Sequence, residues 1–239
     1  MTGPRIAANI LAADLACLGH EVAAAVRSGA DRVHLDVMEL GVRDVTVAPF
    51  VCRALRRVTR TPLEVHLLVK PAERLVAAFA EAGADLVVFH PEASDDVART
   101  AACVREHGCK LGIALAAGTP LDVLDAVPGG ADLVLVTGAT EGSAGGRIAP
   151  RVARWIRALR ERVTAGGADV RIAIDGGVDL ENAAELVAAG ADTLVVESAR
   201  CRPAERVATI AALKRGSRQR AGPRRRRGAP RGHARHLPS

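Results

Sequence analysis

The sequence predicts an α/β protein built as a (β/α)8 barrel, the TIM barrel, and three observations lead there. Short β-branched runs alternate with Ala-, Leu- and Arg-rich helical stretches, recurring roughly every 20 to 35 residues. Eight strands can be placed: Arg5–Leu11, Arg32–Met38, Leu63–Leu68, Leu86–His90, Lys110–Leu115, Leu133–Val136, Arg171–Asp175 and Thr193–Val196, each followed by a helical pattern. Three strands are entered through the same Gly-Ala-Asp triplet, at Gly29, Gly83 and Gly190. That repetition reads as stacked βα units, and eight such units close a barrel.

The elements carry their own punctuation. Helix starts are marked at Asp14, Pro49, Pro71, Ser94, Pro120, Pro150 and Pro203, by side chains that cap or by prolines that fit the first turn. The segments "SGADRVHLD", "EAGADLVVF", "HGCKLGIAL" and "AAGADTLVV" each place a glycine between a helix end and a strand, as a helix C-cap requires. Hydrophobic residues make up 49% of the 239-residue chain but aromatic ones only 2%. Its core must therefore be Val, Leu, Ile and Ala, which suits a parallel sheet covered on both faces. A doubly wound open sheet is the competing fold. It would require a GxGxxG turn after an early strand, and "NILAADLACLG" offers none.

Charge divides the chain in two. Ten Lys and Arg and no acid lie between Lys214 and Ser239, so the rest carries −4 of a total of +6. We expect a barrel domain over 1–213 and a disordered basic tail over 214–239. Nucleic acid is an unlikely partner, because only the tail is basic and it has no aromatic residue for stacking. No apolar run reaches the roughly 20 residues that span a bilayer, and no export signal is expected at the N-terminus. The five cysteines (Cys17, Cys52, Cys103, Cys109 and Cys201) form no CxxC pair. They read as reduced thiols in a cytoplasmic protein.

Chemistry in such a barrel sits at the C-terminal strand ends. The second strand ends "VHLDVM", and the two-residue alternation turns His34 and Asp36 toward the same side, into the barrel mouth. The third carries His66 and the seventh ends at Asp175, before two glycines. Two imidazoles and two carboxylates on one rim suit Zn²⁺ or another first-row divalent ion such as Fe²⁺, Mn²⁺ or Co²⁺. Strands two and seven are three steps apart in the ring, so Asp36 and Asp175 are expected to face each other across the mouth. A substrate carbon between them can lose a proton to one carboxylate and regain it from the other on the opposite face, which inverts the centre. A metal chelated by adjacent carbonyl and hydroxyl oxygens would stabilise the enediolate between the two steps.

The motifs HxDxM, EVHL and IDGG together resemble the ribulose-phosphate 3-epimerases. "NILAADLACLGHEVAAAVRSGADRVHLDVM", "PLEVHLLVKPAERLVAAFAEAGADLVVFHPEAS", "LGIALAAGTPLDVL" and "IDGGVDLENAAELVAAGAD" carry the likeness, which runs from about Ile6 to Ala212. It implies a barrel of the ribulose-phosphate-binding type that interconverts ribulose 5-phosphate and xylulose 5-phosphate. It implies His34, Asp36, His66 and Asp175 as metal ligands, the two aspartates doubling as acid/base groups, with His66 and Met38 beside the substrate. A phosphate would lie among backbone N–H groups at Gly145, Gly146, Gly176, Gly177 and Ser198. We also expect a homo-oligomer.

Several positions depart from the family pattern. Asn9, Ala12 and Ala13 replace a serine-rich start, and "MELGVRDVTVAP" and "TEGSAGGR" replace the family's loops after strands two and six. Arg147 stands where a glutamine is usual, and Glu197 where a glycine precedes Ser198. A carboxylate beside a phosphate dianion is repulsive. The alternatives are therefore the same chemistry on another sugar, or a non-catalytic barrel that binds a sugar phosphate. A lysine-based decarboxylase of related fold is disfavoured, because "HLDVMEL" contains no lysine.

Overall fold

The computed structural model describes residues 3–11, 13–39, 45–138, 149–167, 169–196 and 203–220. Eight parallel strands, β1 (Arg5–Asn9), β2 (Arg32–Met38), β3 (Leu63–Leu68), β4 (Leu86–Phe89), β5 (Lys110–Ala116), β6 (Leu133–Thr137), β7 (Arg171–Asp175) and β8 (Thr193–Val196), close into one barrel in sequence order. Around them lie α1 (Leu18–Arg27), α2 (Pro49–Val58), α3 (Glu73–Glu81), α4 (Val97–Glu106), α5 (Pro150–Ala165), α6 (Ala183–Ala189) and α7 (Pro203–Arg220). The connection from β5 to β6 departs from the expected helix. It is a 3-10 turn over Leu121–Ala126, because Pro128 and two glycines end the segment before a second α-helical turn can form.

The helix starts shift for similar local reasons. Asp14 caps a short 3-10 turn, its side chain accepting from the Ala16 N–H, and α1 begins only at Leu18. Asp96 rather than Ser94 caps α4, accepting from the Arg99 N–H. β1 stops at Asn9, whose own side chain accepts the Leu11 N–H and turns the chain outward. β4 stops before Pro91, which has no N–H to give a ladder.

Two separate apolar clusters show how the barrel is filled. One joins strands to the surrounding helices. The other holds Ala7, Leu86, Val88, Ala114, Leu133, Leu135, Ala173 and Val195, alternate residues of six strands with no helical member. This second cluster is the barrel interior. β2 and β3 add nothing apolar to it. Register pairs Arg32 with Ala7, Glu64 with Leu86 and His66 with Val88, so these polar side chains share the inward face. One flank of the interior is thus a polar column, and it leads up to the mouth.

The opposite, N-terminal face holds the barrel closed. Asp31, Asp85 and Asp192 of the three Gly-Ala-Asp triplets accept the N–H of Ile6, Leu63 and Ile172 on the preceding strand, at 2.7, 2.7 and 2.9 Å. A fourth triplet at Gly130 places Asp132 on the Leu111 N–H at 2.8 Å. Lys214, Arg56 and Arg160 reach down from the helices to pair with the first three aspartates. Gly190 has a φ of +127° and lies against the Arg160 stem, a conformation and a closeness that a side chain would strain. The repeat is therefore a clasp joining strands in pairs around the ring. Lys214 belongs to it, and α7 continues through the first basic residues to Arg220.

Candidate metal centre

The C-terminal ends of β2, β3 and β7 bring His34, Asp36, His66 and Asp175 together. One ligand atom from each lies within 4.8 Å of all the others, and all four residues are buried. Asp36 Oδ1 is the hub, 3.0 Å from His34 Nε2 and 2.9 Å from His66 Nδ1. Asp175 Oδ2 lies 3.8 Å from His34 Nε2. Asn9, buried at the end of β1, donates its side-chain amide to Asp36 Oδ2 at 2.6 Å. Thr46 steadies the end of β2 from below. Its hydroxyl donates to the Asp36 carbonyl at 2.6 Å and accepts the Met38 N–H at 3.0 Å.

The two carboxylates are driven apart in acidity. Burial alone would raise Asp36, but hydrogen bonds from His34 and His66 override it and hold the carboxyl well below the usual range. Asp175 lacks such donors. Burial pushes its carboxyl up to about 6; the charges of Asp36 and Glu64 add to this, and His34 and the Gly176 N–H oppose it. For His34, burial is outweighed by hydrogen bonds to Asp36 and Glu64, which keep the imidazole protonated well above its ordinary value. His66 is lowered, chiefly by burial.

These residues fit a divalent cation. Asp175 Oδ1 is buried without a hydrogen-bond partner, a costly state that a bound cation relieves. Arg32 and Glu64 neutralise each other below the rim, which leaves two aspartate charges for one doubly charged ion to balance. Two imidazoles and two carboxylates are a common donor set for first-row divalent metals.

A bound cation would compete with the proton for Asp175. Its folded value of about 6 exceeds the ordinary 3.8. Its contribution to stability is therefore full below the ordinary value and is lost as pH rises through the folded one. Binding a cation removes that loss. The rise in Tm on adding Zn²⁺ is expected to be larger at about pH 7.5 than at about pH 5. Thermal scans at the two values check this, and an equal rise at both would contradict it.

Met38 ends β2, half-buried, and Gly176 and Gly177 form the turn directly after Asp175. Asn182 braces that turn, donating to the Gly177 carbonyl at 2.8 Å. Gly145, Gly146, Arg147, Glu197 and Ser198 lie outside the described residues.

Four side chains around the two rim histidines were not foreseen. Glu64 is fully buried beside His34 Nδ1 at 2.8 Å and also binds Arg32. His90 meets His66 edge to edge with the rings nearly coplanar, their centroids 5.1 Å apart and the two Nε2 atoms 3.0 Å apart, and its Nδ1 lies 3.2 Å from Glu92. The signal was present in the strand alternation, since Arg32 and Glu64 each stand two residues before a rim histidine.

A family model described as the ribulose-phosphate 3-epimerase family matches residues 5–200. The chain belongs to the ribulose-phosphate 3-epimerase family. It is 46% identical over 200 residues to ribulose-phosphate 3-epimerase 2 of Cupriavidus necator, covering 82% of this chain and 83% of that one. It is 43% identical over 196 residues to ribulose-phosphate 3-epimerase of Escherichia coli, covering 81% and 87%. Solved structures of similar shape include tryptophan synthase subunit alpha from Legionella pneumophila, at 16% identity and a TM-score of 0.64 over 90% of this chain and 93% of that one. Phosphoribosyl anthranilate isomerase from Thermus thermophilus matches at 19% and 0.60, over 88% and 96%. These last two show the barrel alone. Among the described residues no helix is long and apolar enough to cross a membrane.

Proposed function

We propose that this chain inverts C3 of ribulose 5-phosphate to give xylulose 5-phosphate, using Asp36 and Asp175 as two bases on opposite faces of the carbon. The observation that carries the reading is the pairing of a donor-rich carboxylate with a donor-poor one at a single rim, in a chain of this family. Asp36, held ionised by Asn9, His34 and His66, is in the charge state from which a base must start. Asp175, with a bare buried oxygen, is the better place for a proton to rest. One carboxylate removes the C3 proton and the other returns one to the far face; the roles exchange in the reverse direction. A divalent ion held by His34, Asp36, His66 and Asp175 supplies the positive charge that makes the carbon acidic. Zn²⁺ is our choice for a two-His, two-Asp set; Fe²⁺, Mn²⁺ and Co²⁺ suit it as well, and mass spectrometry of purified protein decides.

Met38 would lie against the substrate. Gly176 and Gly177, with Gly145, Gly146 and Ser198, would offer backbone N–H groups to the phosphate, with Arg147 close by. Glu197 favours a second reading, the same inversion on a different sugar, because a carboxylate there opposes a phosphate. If the phosphate reading holds, Glu197→Gly lowers KM for ribulose 5-phosphate by about 10- to 100-fold. Kinetics of both proteins on ribulose 5-phosphate and on ribulose separate the readings. A weaker KM for ribulose 5-phosphate in the variant, with ribulose turned over better by the unaltered chain, would sink the phosphate reading.

We place the protein in the cytoplasm, in keeping with the free thiols of Cys17, Cys52, Cys103 and Cys109. Self-association is proposed through the exposed Leu15, Phe50 and Val58, which surround one apolar hollow on α1 and α2; sedimentation as a monomer would refute it. The catalytic unit is proposed to end within α7. Deleting residues 221–239 is expected to leave Tm and turnover unchanged, and a large drop in either would show that this basic segment docks on the barrel.

A further inference from the structure

We propose that Glu64 and His90 are positioning residues that force the two metal histidines to present different ring nitrogens, Nε2 of His34 and Nδ1 of His66. The inference rests on the reading that the rim cluster holds a divalent ion, and it follows from counting donors and acceptors along two hydrogen-bonded chains.

The first chain runs Arg32–Glu64–His34–Asp36. Glu64 Oε1 lies 2.8 Å from His34 Nδ1, and its other oxygen is taken by Arg32. A carboxylate held by a guanidinium on one oxygen offers only lone pairs on the other. It can only accept, so the proton on this side of the ring must sit on Nδ1. Without a cation the second proton of His34 sits on Nε2, toward Asp36. A cation takes that proton's place, and the neutral ring then turns a lone pair on Nε2 to Asp36 and Asp175.

The second chain runs Asp36–His66–His90–Glu92, through gaps of 2.9, 3.0 and 3.2 Å. Three gaps need three protons, but two neutral rings supply two. With a cation in the gap between Asp36 and His66, only two gaps remain and the count closes. Glu92 accepts from His90 Nδ1, His90 Nε2 accepts from His66 Nε2, and His66 Nδ1 is left with a lone pair toward the rim. Both chains are thus fully satisfied with neutral rings only when a cation sits among Asp36, His34 and His66. The in-line hydrogen bond between the two nearly coplanar rings holds the plane of His66 as well as its tautomer. Outer partners of this kind orient metal ligands and fix their tautomers.

The test is competition of purified, Zn²⁺-loaded protein against a chromophoric chelator, with nitrogen-15 spectra of the histidines as a second readout. His90→Phe keeps a flat ring in that place but removes the acceptor, and it is expected to weaken Zn²⁺ binding about 10- to 100-fold. His90→Gln restores an acceptor without the ring and recovers much of that loss. A packing role predicts the reverse order, with Phe tolerated and Gln harmful. Replacing the ion pair by an apolar one, Arg32→Met with Glu64→Leu, retains a filled interior and is expected to lose affinity to the same extent. Should that pair fail to fold, Glu64→Gln serves, with an intermediate loss. In the Zn²⁺-loaded wild type the spectra should show a proton on Nδ1 of His34 and on Nε2 of His66. The same nitrogen metallated in both rings, or wild-type affinity in His90→Phe and the Glu64 variants, would overturn the inference. A wild type that binds no divalent ion at all would instead remove the metal reading beneath it.

Discussion

Asp36→Asn and Asp175→Asn are each expected to reduce kcat/KM for ribulose 5-phosphate by about 10²- to 10⁴-fold, the scale of a lost general acid or base. Asparagine keeps the size of the side chain but cannot take the proton. The two variants should differ in what survives. A chain that keeps one working base can still exchange the proton of a single epimer with solvent, because removal and return can both occur on one face. The loss at Asp36 should also extend to metal. Its oxygens accept from Asn9, His34 and His66, and an amide turned to suit Asn9 presents its own donors to the two imidazoles. Asp175 has fewer partners to offend. Metal content measured beside turnover therefore separates a lost base from a lost ligand. Near-normal epimerisation in either variant would sink the two-base scheme.

The second large effect concerns the histidines. His34→Ala and His66→Ala should each leave the purified protein with less than about a tenth of the wild-type metal after dialysis, since both ring nitrogens facing the cluster belong to them. The fold should persist. His34 and His66 lie on the polar flank of the interior, apart from the two apolar clusters, and Glu64 keeps Arg32 as its partner when His34 is gone. The metal-free variants are thus expected to melt within several degrees of the metal-free wild type. Metal retained at full occupancy in both would contradict the proposed ligand set.

The strands were legible because a parallel barrel writes them as short Val, Leu and Ile runs, and all eight lie within two residues of their expected ends. The rim residues were legible because alternation by two places His34 with Asp36, and IDGG marks a strand end. What escaped was set by contacts distant in sequence. Glu64 and Arg32 are ordinary charged residues until register sets Glu64 opposite His34. His90 read as the last residue of a strand, and only the closed ring lays it on His66. The clasp at the N-terminal face showed as three Gly-Ala-Asp triplets without a reason. Its reason is the N–H of the neighbouring strand, which no single strand reveals. Pro120 misled, because a proline opens a 3-10 turn as readily as an α-helix.

The central claim is that this rim moves a proton at C3 of a ketopentose phosphate. Incubating ribulose 5-phosphate with the Zn²⁺-loaded protein in deuterium oxide, and following C3 by proton NMR, tests it most directly. The account predicts that the C3 proton signal disappears while xylulose 5-phosphate, deuterated at C3, accumulates, and that a chelator stops both. A C3 proton that stays in place, with no xylulose 5-phosphate formed by fully metallated protein, would contradict it.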